Sequence, residues 1–278
     1  MDEELLALRE RAQAHVERGE WAAALQVASE AVARARRLRE AEGTPVSLWE
    51  LIAALKCLGS CHEEREAWDA AHPLFQEAVA LARELRRQEG DTDEALTALA
   101  LTLSRLATVL QAGGEWTEAL RLHEESLGLR RQLRRLLGGT PEVLDRLTLG
   151  LNAVASLHIE REAWALAARA REESLGLQRE LTRLSEDSSE SRRDLSLALD
   201  EWGHLLGDLG RFPEAVKAYE ESLALTRRLL AEADAPGTLV EELVYCLENV
   251  ADAREAAGDR MGARIARTEA EALQVPRA

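Results

Sequence analysis

Chemistry in this chain would have to come from a few groupings. The segment CLGSCH sets the thiols of Cys57 and Cys61 one helical turn apart with His62 beside them, soft donors of the kind that bind zinc. A zinc site needs three or four ligands, and no second cysteine pair stands elsewhere, so we expect no metal here. His15, His62 and His158 recur at one position of a repeated pattern, but no nucleophile or paired carboxylate is written around them. There is no glycine-rich phosphate loop. The reading is no enzyme and no cofactor. A row of Glu30, Glu77, Glu125, Glu173, Glu221 and Glu269 could face a row of Arg36, Arg83, Arg131, Arg179 and Arg227 to recognise a ligand. The plainer reading is preferred: basic groups near helix C-termini complement the dipole, and a repeated Glu bridges adjacent copies.

The bulk numbers narrow the class. Ala, Leu, Glu and Arg dominate, aromatics make up 4% and there are 6 Pro, which favours helix and predicts no sheet. The formal charge is −16 and the pI about 5.0, which repels phosphate and anionic lipid. The basic run RRQLRRL at 130–136 is then a solvated helix face, and no nucleic-acid partner is expected. The N-terminus MDEELLALRERAQ is not a secretory signal, and no stretch is read as approaching the roughly 18 apolar residues of a membrane span. Three cysteines do not make a disulfide framework, so the expected location is the cytoplasm.

What positions any site is a repeat. EESLGL at 124–129 returns at 172–177 and again, as EESLAL, at 220–225. An aromatic recurs at Trp21, Trp68, Trp116, Trp164 and Phe212, with Arg260 in the sixth copy, spaced 47 once and 48 thereafter. Three residues later stand Ala24, Ala71, Ala119, Ala167, Ala215 and Ala263; nine residues earlier stand Ala12, Gly59, Ala107, Ala155, Gly203 and Ala251. Apolar residues recur at helical spacing in each half, and turns such as ERGE, EREA, AGGE and LGRF divide the halves. Each copy is therefore read as two helices of about 20 residues, crossing where the small side chains let the backbones approach, with the aromatic covering the open end. Leu8, Leu55, Leu103, Leu151, Leu199 and Leu247 belong to the core, as do Leu38, Leu85, Leu133, Leu181 and Leu229. Cys61 shares a column with Val109, Leu157 and Leu205 and is read as core too. Polar breaks EGTPV, EGDTD, GGTPE, EDSSES and DAPGT separate the copies, with Gly ending one helix and Thr or Asp, followed by Pro or an acid, starting the next.

The run LSRLATVLQAGGEWTEALRLHEESL, with its small residue, Gly turn, aromatic and Ala, resembles the tetratricopeptide repeat. Copies longer than the family's usual length resemble its kinesin-light-chain-like and bacterial sensor branch. The resemblance implies an all-α fold, a right-handed α-solenoid of six helix-turn-helix repeats. We expect one domain over 1–278 with repeats near 1–43, 44–90, 91–139, 140–187, 188–236 and 237–278. Stacked repeats need polar outer faces, and Arg11 in the first copy and Arg260, Arg264 and Arg267 in the last suggest capped ends.

The resemblance also implies a concave groove, lined by the first helix of each copy, that holds a peptide or partner segment. Carried onto this sequence, the lining is Arg9 and Gln13, Lys56 and Ser60, Ser104 and Thr108, Asn152 and Ser156, Asp200 and His204, and Glu248 and Asp252. The row changes from cationic through hydroxyl and amide to anionic, which would orient a ligand of reversed charge. Arg105 beside Lys56 resembles part of the carboxylate clamp of chaperone-binding members, without its amides. The expected function is a non-catalytic scaffold or adaptor binding a protein or peptide. The alternative is a peptide or signal receptor that regulates an effector through a change of curvature. A monomer is favoured.

Overall fold

In the computed structural model, which describes residues 2–233 and 237–274, the chain is all-α, a repeat fold of the α-solenoid class. Among the described residues twelve helices fall in order: α1 Glu3–Glu17, α2 Trp21–Glu42, α3 Pro45–Glu63, α4 Trp68–Glu89, α5 Asp93–Ala112, α6 Trp116–Leu137, α7 Pro141–Glu160, α8 Trp164–Leu184, α9 Ser189–Asp208, α10 Phe212–Glu232, α11 Leu239–Ala256 and α12 Arg260–Gln274. The chain divides into two compact units, Met1–Val143 and Leu144–Ala278.

Start signals explain the first helix of several copies. The side chains of Asp2, Thr44, Thr92 and Ser188 accept from free N–H groups at the starts of α1, α3, α5 and α9, the N-cap role those residue types favour. Pro45 opens α3, where its missing donor costs nothing. Gly43, Gly90 and Gly138 close α2, α4 and α6 at positive φ, as the first three breaks foretold. The fourth break differs. Ser185 ends α8, and Glu186 and Asp187 follow at φ of 52° and 58°. In the fifth break, residues 234–236 lie outside the described residues.

The turn inside each copy repeats one geometry. Gly19, Glu66, Gly114, Glu162, Gly210 and Gly258 hold the same repeat position, all at positive φ between 54° and 90°. The next N–H in each case donates to the carbonyl five residues back, as from Glu20 to His15 and from Glu115 to Leu110, both at 2.8 Å. Four of the six are glycine, the residue that adopts this conformation without strain.

In the first unit α1, α3 and α5 pack side by side, and each successive helix packs on the one before. In the second unit α9 lies against α8 and α10, and α11 against α10 and α12. The small columns occupy the crossings: Ala12, Ala24, Ala71, Ala107, Ala119, Ala155 and Ala167 are fully buried. The two glycines in these columns have a specific cause. A Cβ on Gly59 would stand 2.7 Å from the Phe75 ring, and one on Gly203 would stand 2.6 Å from the Tyr219 ring. Where the second helix carries an aromatic, the first surrenders its methyl group.

Three expectations need correction. The aromatic that opens each second helix is only partly covered: Trp21, Trp68, Trp164 and Phe212 are half-buried and Trp116 is 40% exposed. Leu38 and Leu181 are half-buried, unlike Leu85, Leu133 and Leu229. Finally, α5 is by length and composition apolar enough to cross a membrane, with a mean hydropathy of 1.4 over its best window. That window is 61% buried, and the helix contacts α3, α4 and α6, which accounts for its apolarity.

The Glu and Arg rows meet as bridges between copies. Arg36 pairs with Glu77 at 2.7 Å and Arg83 with Glu125 at 3.0 Å in the first unit; Arg179 pairs with Glu221 and Arg227 with Glu269, both at 2.6 Å, in the second. Each rung joins the second helices of neighbouring copies. All four are solvent-exposed, so they set register more than stability.

Candidate interaction faces

In the first unit, the first-helix layer forms one cavity of about 550 Å³ that collects Arg9, Gln13, Lys56, Ser60 and Arg105. The Arg9 guanidinium lies 5.4 Å from the Trp49 ring centre and 3.5 Å from the buried Glu50 carboxylate, so ring and carboxylate fix its place. Arg105 donates to both carboxylate oxygens of Glu63 at 3.2 Å, and Gln13 donates to Glu17 at 3.3 Å. Cys57 and Cys61 also line this cavity. The hydrogen bond from Cys61 holds the Cys57 thiol below its ordinary pKa against burial, helped by the charges of Arg9 and Lys56. The bond to Cys57, together with burial, pushes Cys61 up. A second cavity of about 240 Å³ shares Trp49, Ala53, Lys56 and Leu101 and is walled by Ile52, Thr97 and Ala98.

Two expected lining residues of this unit are held by hydrogen bonds. Ser104 lies 3.1 Å from the Ser126 hydroxyl and accepts from Arg130 at 3.1 Å, between α5 and α6. Thr108 donates to the Ser104 carbonyl at 3.1 Å. A hydroxyl on a helix can satisfy itself on its own backbone or an adjoining helix, and both do so.

In the second unit the expected row divides. Asn152 accepts from Ser174 at 2.7 Å, and Ser156 is half-buried. Asp200 is buried and lines a cavity of about 330 Å³ with Ser196, Thr226, Tyr245 and Cys246. Burial raises its pKa, opposed by the Ser222 hydroxyl and by His204. His204 is held by the Asp200 carbonyl at 2.8 Å and by an edge contact on Tyr219; it opens with Asp252 into a cavity of about 350 Å³ beside Phe212. Glu248 and Asp252 border a third, of about 390 Å³, where Asp252 pairs with Arg267 at 2.9 Å. Arg9, Gln13, Lys56 and Ser60 thus share a cavity in the first unit, whereas Asp200, His204 and Glu248 fall in different ones in the second.

The amino-acid sequence held one feature that apolar spacing conceals. Leu6, Ala53, Leu101, Leu149, Leu197 and Tyr245 occupy a single repeat position, three residues before the charged row. They are not core: Leu149 is 58% exposed, Leu197 59% and Tyr245 48%. Trp49, alone in a column with Asp2, Thr97, Asp145, Arg193 and Glu241, was equally readable.

The helix-turn-helix geometry meets its counterpart among known proteins. The family model described as Tetratricopeptide repeat matches residues 99–134 and 198–234, in each case a first helix, its turn and the second helix. Over those residues the chain carries tetratricopeptide repeats. Among solved structures the repeats resemble BtubC (BKLC) from P. vanneervenii, at 20% identity and a TM-score of 0.65, covering 91% of this chain and 94% of that one. They also resemble the S. pombe nuclear import adaptor Nro1, at 13% identity and a TM-score of 0.66, covering 99% and 95%. A Podosopora anserina kinesin-light-chain protein of nearly identical TPR-like repeats aligns at 16% identity and a TM-score of 0.59, over 80% and 93%. At these identities the likeness is one of fold. No curated protein matches the sequence.

Proposed function

We propose that this protein is a non-catalytic, cytoplasmic interaction scaffold whose first-helix faces hold a peptide or partner segment. The observation that carries the reading is the pairing of an exposed apolar column with a charged one. Leu149, Leu197 and Tyr245 stay in water, and exposed apolar groups rimmed by polar ones mark interaction surfaces. In the first unit Leu101 and Trp49 supply the apolar floor, with Arg9, Lys56 and Arg105 around it. That combination suits an acidic segment with apolar anchors, since charge complementarity sets orientation and rate while the apolar anchors supply affinity. The import adaptor that shares the fold is consistent with such a role.

The test is capture from the native lysate, read by mass spectrometry, with the wild-type chain and with Lys56→Glu and Leu101→Asp variants in parallel. A partner captured by the wild type and reduced at least roughly tenfold in both variants, with circular dichroism unchanged, is the expected result. A partner retained equally by all three removes the first-unit cavity from the proposal.

A further inference from the structure

Copies three and five treat one internal position in opposite ways. In copy three the second helix carries Arg130, buried to 6% exposure, whose guanidinium donates to Ser104 at 3.1 Å and to Ser126 at 3.3 Å. Moving along by two periods, Ser104 becomes Asp200, Ser126 becomes Ser222 and Arg130 becomes Thr226. The acceptor has gained a charge while the cation that would serve it has been cut back to a hydroxyl.

The consequences appear in the second unit. Asp200 is 7% exposed, and its Oδ1 has no hydrogen-bond partner. Of the hydroxyls nearby, Ser222 serves the carboxyl in part, while Ser196 lies 2.8 Å from Ser222 and 3.1 Å from Thr226, and Thr226 donates to the Ser222 carbonyl at 3.2 Å. Shortening Arg130 to Thr226 coincides with the cavity of about 330 Å³ between α9, α10 and α11. Its walls offer Leu197 and Leu229 to a hydrocarbon stem and the Tyr245 ring to a cation. Around it stand three carboxylates, Asp200, Glu241 and Glu242, against one cation, Arg193, which is already 3.6 Å from Glu242. A buried carboxylate with one oxygen unpartnered is costly, and a cation seated on that oxygen relieves the cost.

We propose that this cavity takes the side chain of an arginine or lysine from the bound partner segment, its stem between Leu197 and Leu229 and its charge on Asp200. The assignment deepens the scaffold reading by adding a specificity pocket of opposite sign to the first-unit cavity. A lone arginine can probe it without the partner.

N-acetyl-arginine amide and N-acetyl-lysine amide are titrated into the full-length, ¹⁵N-labelled chain, with the amide resonances of Asp200, Thr226 and Tyr245 followed. N-acetyl-norleucine amide serves as the uncharged control. The cationic amides are expected to give saturable shifts centred on these residues. Asp200→Asn, which keeps shape and removes charge, weakens them roughly tenfold, the scale of a charge-assisted hydrogen bond. Thr226→Arg, which restores the copy-three arrangement, abolishes them, and Lys56→Glu leaves them unchanged. Equal binding of the norleucine amide, or undiminished binding by Asp200→Asn, overturns the pocket. Either result leaves the capture experiment standing, because that experiment reads the first unit.

Discussion

The two units solve the same packing problem with different residues in the same columns. In the first, Phe75 lies against Gly59, and between α5 and α6 the buried polar groups include His123, Ser126 and Arg130. In the second, Tyr219 lies against Gly203, and between α9 and α10 buried hydroxyls surround a carboxylate: Ser196, Ser222 and Thr226 around Asp200. Backbone geometry tolerates both, because the columns that fix helix crossing are Ala or Gly throughout. Residues one turn away are then free to change charge. The fold is held by the small side chains, and the character of each inner face by what is placed between them.

This contrast can be broken at its aromatic pairs first. Phe75→Ala leaves a void at a fully buried ring and is expected to cost about 3–5 kcal/mol by denaturant unfolding. Tyr219→Ala, at a ring 6% exposed, is expected to cost less. Equal losses would mean that the two units pack alike despite their residues.

A second, smaller effect should be confined to the first unit. His123 is buried with its Nδ1 unpartnered, and desolvation, aided by the Arg130 charge, lowers its pKa from 6.5 to about 4. Folded protein holds it neutral while the unfolded chain takes up a proton below pH 6.5. Stability therefore falls as pH drops from 6.5 towards 4, by up to about 3 kcal/mol. Urea unfolding at pH 7 and pH 4.5 should show that loss reduced in His123→Leu; an unchanged pH dependence would refute the assignment.

The smallest effect sharpens the comparison, since it should be equal in both units. Glu66 and Glu162 hold a left-handed position where four other copies use glycine. Replacing either with Gly is expected to raise stability by about 0.5–1 kcal/mol, read as a shift in urea midpoint. A loss in either case would show that the glutamate side chain contributes more than the strain removes.

Much of this was legible beforehand, for physical reasons. Period, turns and caps could be read because backbone geometry leaves few residue types a choice: Gly43 and Gly90 at positive φ, Thr44 and Thr92 at helix starts. The Arg–Glu bridges could be read because identical columns must meet at identical spacing. The inner faces were harder. Leu149 and Leu197 recur at helical spacing as core leucines do, and spacing does not say which apolar stripe is covered. That Ser104 and Asn152 are tied to Ser126 and Ser174 was hidden because those partners lie on the following helix. The cavity at Asp200 coincides with a short side chain at Thr226, a pairing visible only when copies are compared at both positions together.

The caps carry one more consequence. Side chains start α1, α3, α5 and α9, whereas α2, α4, α6, α8 and α10 begin at Glu20, Ala67, Glu115, Ala163 and Arg211 with no side-chain acceptor. In these five hairpins the later helix starts from the backbone bond that its predecessor's end supplies, whereas α12 also has the Asp259 side chain accepting from Gly262. In copies one, two, three and five the leading rod thus carries its own start signal, and its follower takes its start from the rod before it.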